Sequence, residues 1–100
     1  MDIVKRTLIR EFLEQNPSSE TALALWHKLV CHGSWMSFEQ LRKTFPTAEK
    51  SRQFTVFSVG GGSIFIVTYI DYRRGKLFVR EVYDQQHLER RTQNLSRTRG

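Results

Sequence analysis

Between Phe54 and Asp84 the chain carries three runs of β-branched and aromatic residues separated by two glycine-containing turns, and few folds accommodate that pattern. The first run, Phe54 to Val59, and the second, Ile64 to Asp71, are joined by Gly60, Gly61, Gly62 and Ser63. The second and the third, Lys76 to Tyr83, are joined across Arg73, Arg74 and Gly75. Side chains suited to a pleated surface, recurring at period two and punctuated by glycine, predict an antiparallel meander. The triple glycine reads as a hairpin turn that needs positive φ. A phosphate loop would instead lead from a strand into a helix that starts with a Lys-Ser/Thr pair, and here Ser63 opens another β run.

The residues before the meander have the period of helices. Ile3 and Val4 suit a short opening strand, and Leu8, Ile9, Phe12 and Leu13 then recur on one helical face over Lys5 to Gln15. Asn16-Pro17 stops that helix, because a residue before proline is pushed out of the α region. Ser18 or Ser19 is positioned to cap the next helix, whose apolar residues run from Ala22 to Val30 and which Gly33 closes. Ser37 and Gln40 have the spacing of a capping box for a short third helix that ends at Phe45-Pro46 and turns Leu41 inward. Beyond the meander, propensity allows a short C-terminal helix from Asp84 to about Thr92. The expectation is an α+β fold with N-terminal helices packed on a small antiparallel β-sheet. Residues 1–92 form one domain in this reading, and 93–100 a basic, flexible tail.

Leu, Ile, Val and Phe supply 28 of the 100 residues, enough for one small core and too many for a disordered chain. No apolar run approaches the roughly 18 to 20 residues that cross a bilayer, and no apolar stretch follows Lys5-Arg6 as in a secretory signal. Cys31, the single cysteine, excludes an internal disulfide and fits a reducing, cytoplasmic setting. His27, Cys31 and His32 cluster in sequence, but no second cluster completes a tetrahedral site, so neither a metal nor another cofactor is expected.

Charge points to the partner. Residues 51–100 hold nine Lys/Arg against four acids, a net of +5, whereas residues 1–50 hold seven against six, a net of +1. The positive field belongs to the sheet half and suits a polyanion. Lys50, Arg52, Arg73, Arg74 and Lys76 are the candidates for holding a nucleic-acid backbone. Arg80 stands inside a strand otherwise rich in Leu, Phe and Val, so it needs a partner or a ligand and is the leading candidate for a phosphate contact. Strict alternation puts Arg80 on the face of Phe78 and Val82, with Glu81 on the opposite one. His87 carries an imidazole, the side chain suited to acid–base chemistry near neutral pH, or else is a surface histidine. Trp26 reads as core. Trp35, in the connector before Ser37, reads as a cap on the core or as a base-stacking ring.

Several blocks in order resemble one family. Leu25-Trp26 followed by Ser34-Trp35-Met36-Ser37 and then Phe38 through Glu49 resembles the middle of HigB-type toxins, members of the RelE-like superfamily of bacterial toxin–antitoxin systems. Val56-Phe57-Ser58-Val59-Gly60-Gly61 resembles the family's V-F-N-I-x-G-N segment, and Phe78-Val79-Arg80-Glu81-Val82 its Y-I-R-E-V strand. The resemblance spans roughly residues 1 to 89. It implies a RelE-like fold and a ribosome-associated mRNA endonuclease that works without metal, using attack by the ribose 2′-OH. It also implies neutralisation by a cognate HigA-type helix-turn-helix antitoxin, with mRNA and the ribosome as the other partners.

In that chemistry Arg80 is expected to stabilise charge on the phosphate and His87 to move protons, assisted by Tyr83 or Glu81. Where the family continues G-N-K-Y-R-L, this chain has Gly61, Gly62, Ser63, Ile64, Phe65 and Ile66, so Ser63 and Phe65 replace a lysine and an arginine. Where the family often has T-H-x-E-Y-D, this chain has Asp84 through Glu89, with Gln85 at the histidine and Leu88 at the tyrosine. These departures support a second reading, a RelE-like module that binds RNA, ribosome or antitoxin without cutting. If helices cover the Ile64, Ile66, Thr68 and Ile70 side of the middle strand, Phe65, Val67 and Tyr69 form an apolar face suited to a partner.

Overall fold

The computed structural model describes residues 1–85. In chain order the elements are β1 (Asp2–Val4), α1 (Thr7–Gln15), a 3₁₀ turn (Pro17–Ser19), α2 (Glu20–His32), α3 (Phe38–Thr44), β2 (Glu49–Ser51), β3 (Phe54–Val59), β4 (Ile64–Asp71) and β5 (Lys76–Asp84). The meander β3-β4-β5 is antiparallel, as its turn chemistry predicts. Two edge strands enlarge it: β2 pairs antiparallel with β3, and β1 pairs parallel with β5, so the sheet is mixed with strand order β1-β5-β4-β3-β2. Gly60, Gly61 and Gly62 all have positive φ, the backbone state the hairpin reading required of them.

The helices pack on one face of this sheet. Leu23, Trp26 and Val30 of α2 are buried against it, with the Trp26 ring edge-on to Phe57 at 5.5 Å between centroids. Trp35 joins the core: its ring meets Phe45 edge-on and its indole N–H donates to Thr44 Oγ1 at 3.3 Å. Of the two readings for that tryptophan, the core cap is the correct one. Ile66, Thr68, Leu77 and Val79 complete the inner face, all fully buried. Thr68 Oγ1, a hydroxyl in the centre of this face, donates to the Thr55 carbonyl at 2.8 Å, so the group is satisfied. The Trp26 indole N–H is buried with no acceptor among the described residues, a cost of about 1–3 kcal/mol that the edge-on packing must offset.

Local details depart from the sequence reading in instructive ways. Ser19 occupies the N-cap position of α2 but its side chain makes no capping bond; the Pro17–Ser19 turn feeds the helix instead. Gly33 ends α2 in extended rather than left-handed backbone, so its lack of a side chain serves space: a Cβ there would run into the Trp35 ring. Ser37 does cap α3, accepting from the Gln40 N–H at 3.3 Å, while Gln40 Oε1 accepts from the Met36 N–H, one residue earlier than in the usual box. The expected helix from Asp84 to Thr92 and the tail 93–100 fall outside the described residues, apart from Asp84, which closes β5, and Gln85.

Candidate nucleic-acid interface

Alternation along β3, β4 and β5 sends one set of side chains away from the helices. Phe54 and Val56 on β3, Phe65, Val67 and Tyr69 on β4, and Phe78 and Tyr83 on β5 are half-buried or exposed. On β4 the opposite set, Ile64, Ile66, Thr68 and Ile70, is buried, which is the orientation that leaves Phe65, Val67 and Tyr69 available. Phe65 stacks on Tyr83, its cross-strand partner, at 5.5 Å with the rings 29° from parallel. Tyr69, 43 % exposed, lies beside Phe78 at 6.2 Å. Aromatic faces of this kind accept nucleobases or apolar anchors of a protein partner.

Arg80 is placed by a break in the ladder. Val67 pairs with Glu81 and Thr68 with Val79, so Arg80 is an extra residue with no partner on β4: a β-bulge. This corrects the strict alternation expected from sequence. Phe78 lies on the outer face and Val82, opposite the buried Ile66, on the inner one, so Arg80 does not share a face with both. Nor does Glu81 point away from it. Arg80 and Glu81 are both exposed and together border a shallow depression of about 230 Å³ against Leu8, Glu11, Phe12 and Gln15 of α1. Arg80 has no salt bridge among the described residues, and its charge stands at the rim where the sheet meets α1. The sequence holds a signal for the bulge: inward Leu77 and Val79 are two apart, but the next inward residue, Val82, comes three later.

The basic residues gather at one end of the sheet. Lys50 and Arg52 flank the β2–β3 turn, while Arg73, Arg74 and Lys76 flank the β4–β5 turn; the pairing of β3 with β4 brings both turns to the same end. All five are exposed. Arg74 contacts Asp71 at 3.7 Å and its N–H donates to Asp71 Oδ1, which pins the turn. Arg52 adopts φ of 57°, a left-handed conformation unusual outside glycine. At about 3.3 Å per residue, Tyr83 lies roughly 20 Å along β5 from Lys76, so these basic residues and Tyr83 mark opposite ends of a track across the sheet.

At the Tyr83 end, Ser63, Asp84 and Gln85 border a polar depression of about 490 Å³ with Asn16, Ser18 and Ser19. Gln85 is held by its N–H donating to the Ser63 carbonyl at 2.8 Å. His87 lies outside the described residues. His27 and Cys31 approach at 3.7 Å on α2, and no group of three or more metal-ligand side chains occurs among the described residues. Burial, followed by the charge of Arg6, lowers the His27 pKa below its ordinary value. No described helix is long and apolar enough to cross a membrane.

Residues 19–87 match the HigB toxin family, described as the RelE-like toxic component of a toxin–antitoxin system. The chain is also 23% identical over 103 residues to the mRNA interferase toxin HigB of Escherichia coli K12, covering 100% of this chain and 98% of that protein. The mRNA interferase HigB of Shigella flexneri matches with the same identity and coverage.

Proposed function

The chain belongs to the HigB family of RelE-like toxins, and from that membership we propose that it is an endoribonuclease that cleaves translated mRNA on the ribosome. The observation that carries this reading is Arg80: a cation lifted out of the ladder by a bulge, beside Glu81 and next to a sheet face lined with aromatic rings. In the reaction a base takes the proton from a ribose 2′-OH, O2′ attacks the adjacent phosphorus, and the P–O5′ bond breaks as O5′ is protonated. Arg80 stabilises the charge gathering on the non-bridging phosphate oxygens. His87 moves the protons, with Glu81 and Tyr83 assisting. No step requires a metal. Lys50, Arg52, Arg73, Arg74 and Lys76 hold the mRNA or ribosomal RNA backbone at the basic end of the sheet.

The proposed antagonist is a HigA-type helix-turn-helix antitoxin that sets an aromatic or aliphatic anchor on Phe65, Val67 and Tyr69 and so excludes RNA from the same face. The test is expression without a partner, with transcripts mapped for new 5′ ends. Growth arrest and new 5′ ends within translated transcripts are expected, with cleavage falling about 100- to 1,000-fold in Arg80→Ala. Untouched growth and transcripts, identical in wild type and Arg80→Ala, refute the enzymatic reading.

One observation favours a second reading. Phe65, at the position of a family arginine, is committed to a stack on Tyr83, and Gln85, at the position of a family histidine, is tied to the Ser63 carbonyl by its backbone. A chain that binds RNA with a steep salt dependence but does not cut it follows from that. Gain of cleavage in the double variant Phe65→Arg, Gln85→His, from an inactive wild type, supports this reading; loss of an existing activity in His87→Ala removes it.

A further inference from the structure

Helix α2 carries more apolar surface than the core uses. Leu23, Trp26 and Val30 face the sheet, but Leu25 is 58% exposed and Leu29 39% exposed. With Ala22 they form a second stripe at i, i+3 and i+7, beside the buried one. The stripe is bordered along its length by two depressions that share Leu25 and Leu29, about 590 Å³ toward the glycine turn and about 420 Å³ toward Trp35. The far wall of the first combines Phe45 and Val59 with the glycine turn, which stays open because a Cβ on Gly61 or Gly62 would meet nothing within 4 Å. From Ala22 to His32 the groove is about 15 Å long, enough for roughly three turns of a second helix.

The charges at the groove select its occupant. Lys28 and His32 line it, and none of its lining residues is acidic. A second copy of this chain, with net charge +6, would set Lys28 and His32 against the same basic rim. Residues 86–100 are no better suited, with four arginines and one acid. We propose that this groove receives an amphipathic helix of the antitoxin, with aliphatic anchors over Leu25 and Leu29 and carboxylates facing Lys28 and His32. The proposal rests on the toxin–antitoxin reading above and adds a docking surface separate from the sheet face.

The probe is the proposed helix-turn-helix antitoxin, titrated calorimetrically into the full chain. Leu25→Glu combined with Leu29→Glu is expected to weaken binding at least 100-fold, and Lys28→Glu about 10-fold with a shallower salt dependence. Ala24→Glu, on an exposed position outside the stripe, is expected to leave affinity unchanged. Transcript cleavage by the double variant is expected to equal that of wild type, which separates this surface from the RNA reading. Unchanged affinity in the double variant overturns the proposal. So does a free chain that sediments as a dimer until Leu25 and Leu29 are replaced. A large loss of melting temperature in the free double variant also overturns it, since the groove would then already be filled by this chain's own residues.

Discussion

Phe65→Arg separates a surface role from a core role for the sheet's outer face. Phe65 is half-buried, with the buried Ile64 and Ile66 on either side pointing to the helices. Its main neighbour is Tyr83, stacked at 5.5 Å. Losing that stack costs about 0.5–1.5 kcal/mol. The arginine stem can lie over Val67 and Tyr83 with its head group in water, so no charge is buried. A net loss of about 1–2 kcal/mol corresponds to roughly 5–15 °C in melting temperature for a domain this size. Were Phe65 part of a closed core, an uncompensated charge would cost about 3–5 kcal/mol, a large share of the stability of any small domain.

The assay is thermal unfolding followed by circular dichroism, paired with calorimetric titration of the antitoxin. A folded variant with binding weakened about 30-fold or more, the loss of one hot spot of about 2 kcal/mol, is the expected result. A collapse of the melting transition refutes the placement of Phe65 on an accessible face. A folded variant with wild-type affinity refutes its role as a docking point.

Arg52→Gly is expected to raise the melting temperature by a few degrees, since it relieves left-handed backbone worth about 1 kcal/mol, while RNA binding weakens and its salt slope falls by about one. Because the His27 pKa is lowered on folding, the unfolded chain binds more protons below the ordinary value of 6.5, so stability falls as pH drops through that window. Melting curves from pH 7.5 to 5 should show a smaller decline for His27→Gln than for wild type. Gly33→Ala is expected to cost about 1–3 kcal/mol in urea unfolding, because the new Cβ displaces the Trp35 ring from its place against Phe45.

The elements that carry strong local chemistry were legible in the sequence: the meander from its glycines, α1 and α2 from their apolar spacing, and α3 from Ser37 and Gln40. What escaped was set by pairing across long separations. β2 is three exposed polar residues with no hydrophobic signature, and its strand state comes entirely from hydrogen bonding to β3. The parallel docking of β1 on β5 joins Ile3 to Leu77, a choice that neither segment announces alone. The basic residues Arg52 and Arg73 look scattered in sequence, and only the shared end of two hairpins brings them together. The outer stripe of α2 was hidden in a helix that simply reads as apolar, because Leu25 and Leu29 are indistinguishable in type from Leu23.

The bulge at Arg80 is the point where one residue decides both register and chemistry. Removing the extra residue should cost little, because Ile66–Val82, Phe65–Tyr83 and Ile64–Asp84 already pair as they would in an unbroken ladder. Deleting Arg80 leaves Leu77, Val79 and Val82 alternating inward, with Glu81 still opposite Val67. Deleting Glu81 instead gives the same register but keeps an arginine, now in the regular position opposite Val67 rather than thrust out beside α1. Both deletions are expected to fold with melting temperatures within about 5 °C of wild type, roughly 1 kcal/mol. If chemistry depends on where the bulge aims the guanidinium, both lose cleavage to the level of Arg80→Ala. Glu81→Gln keeps the bulge and isolates the contribution of the carboxylate. A Glu81 deletion that still cleaves at the wild-type rate shows that an arginine anywhere on this face suffices, and the link between the bulge and the reaction is then wrong.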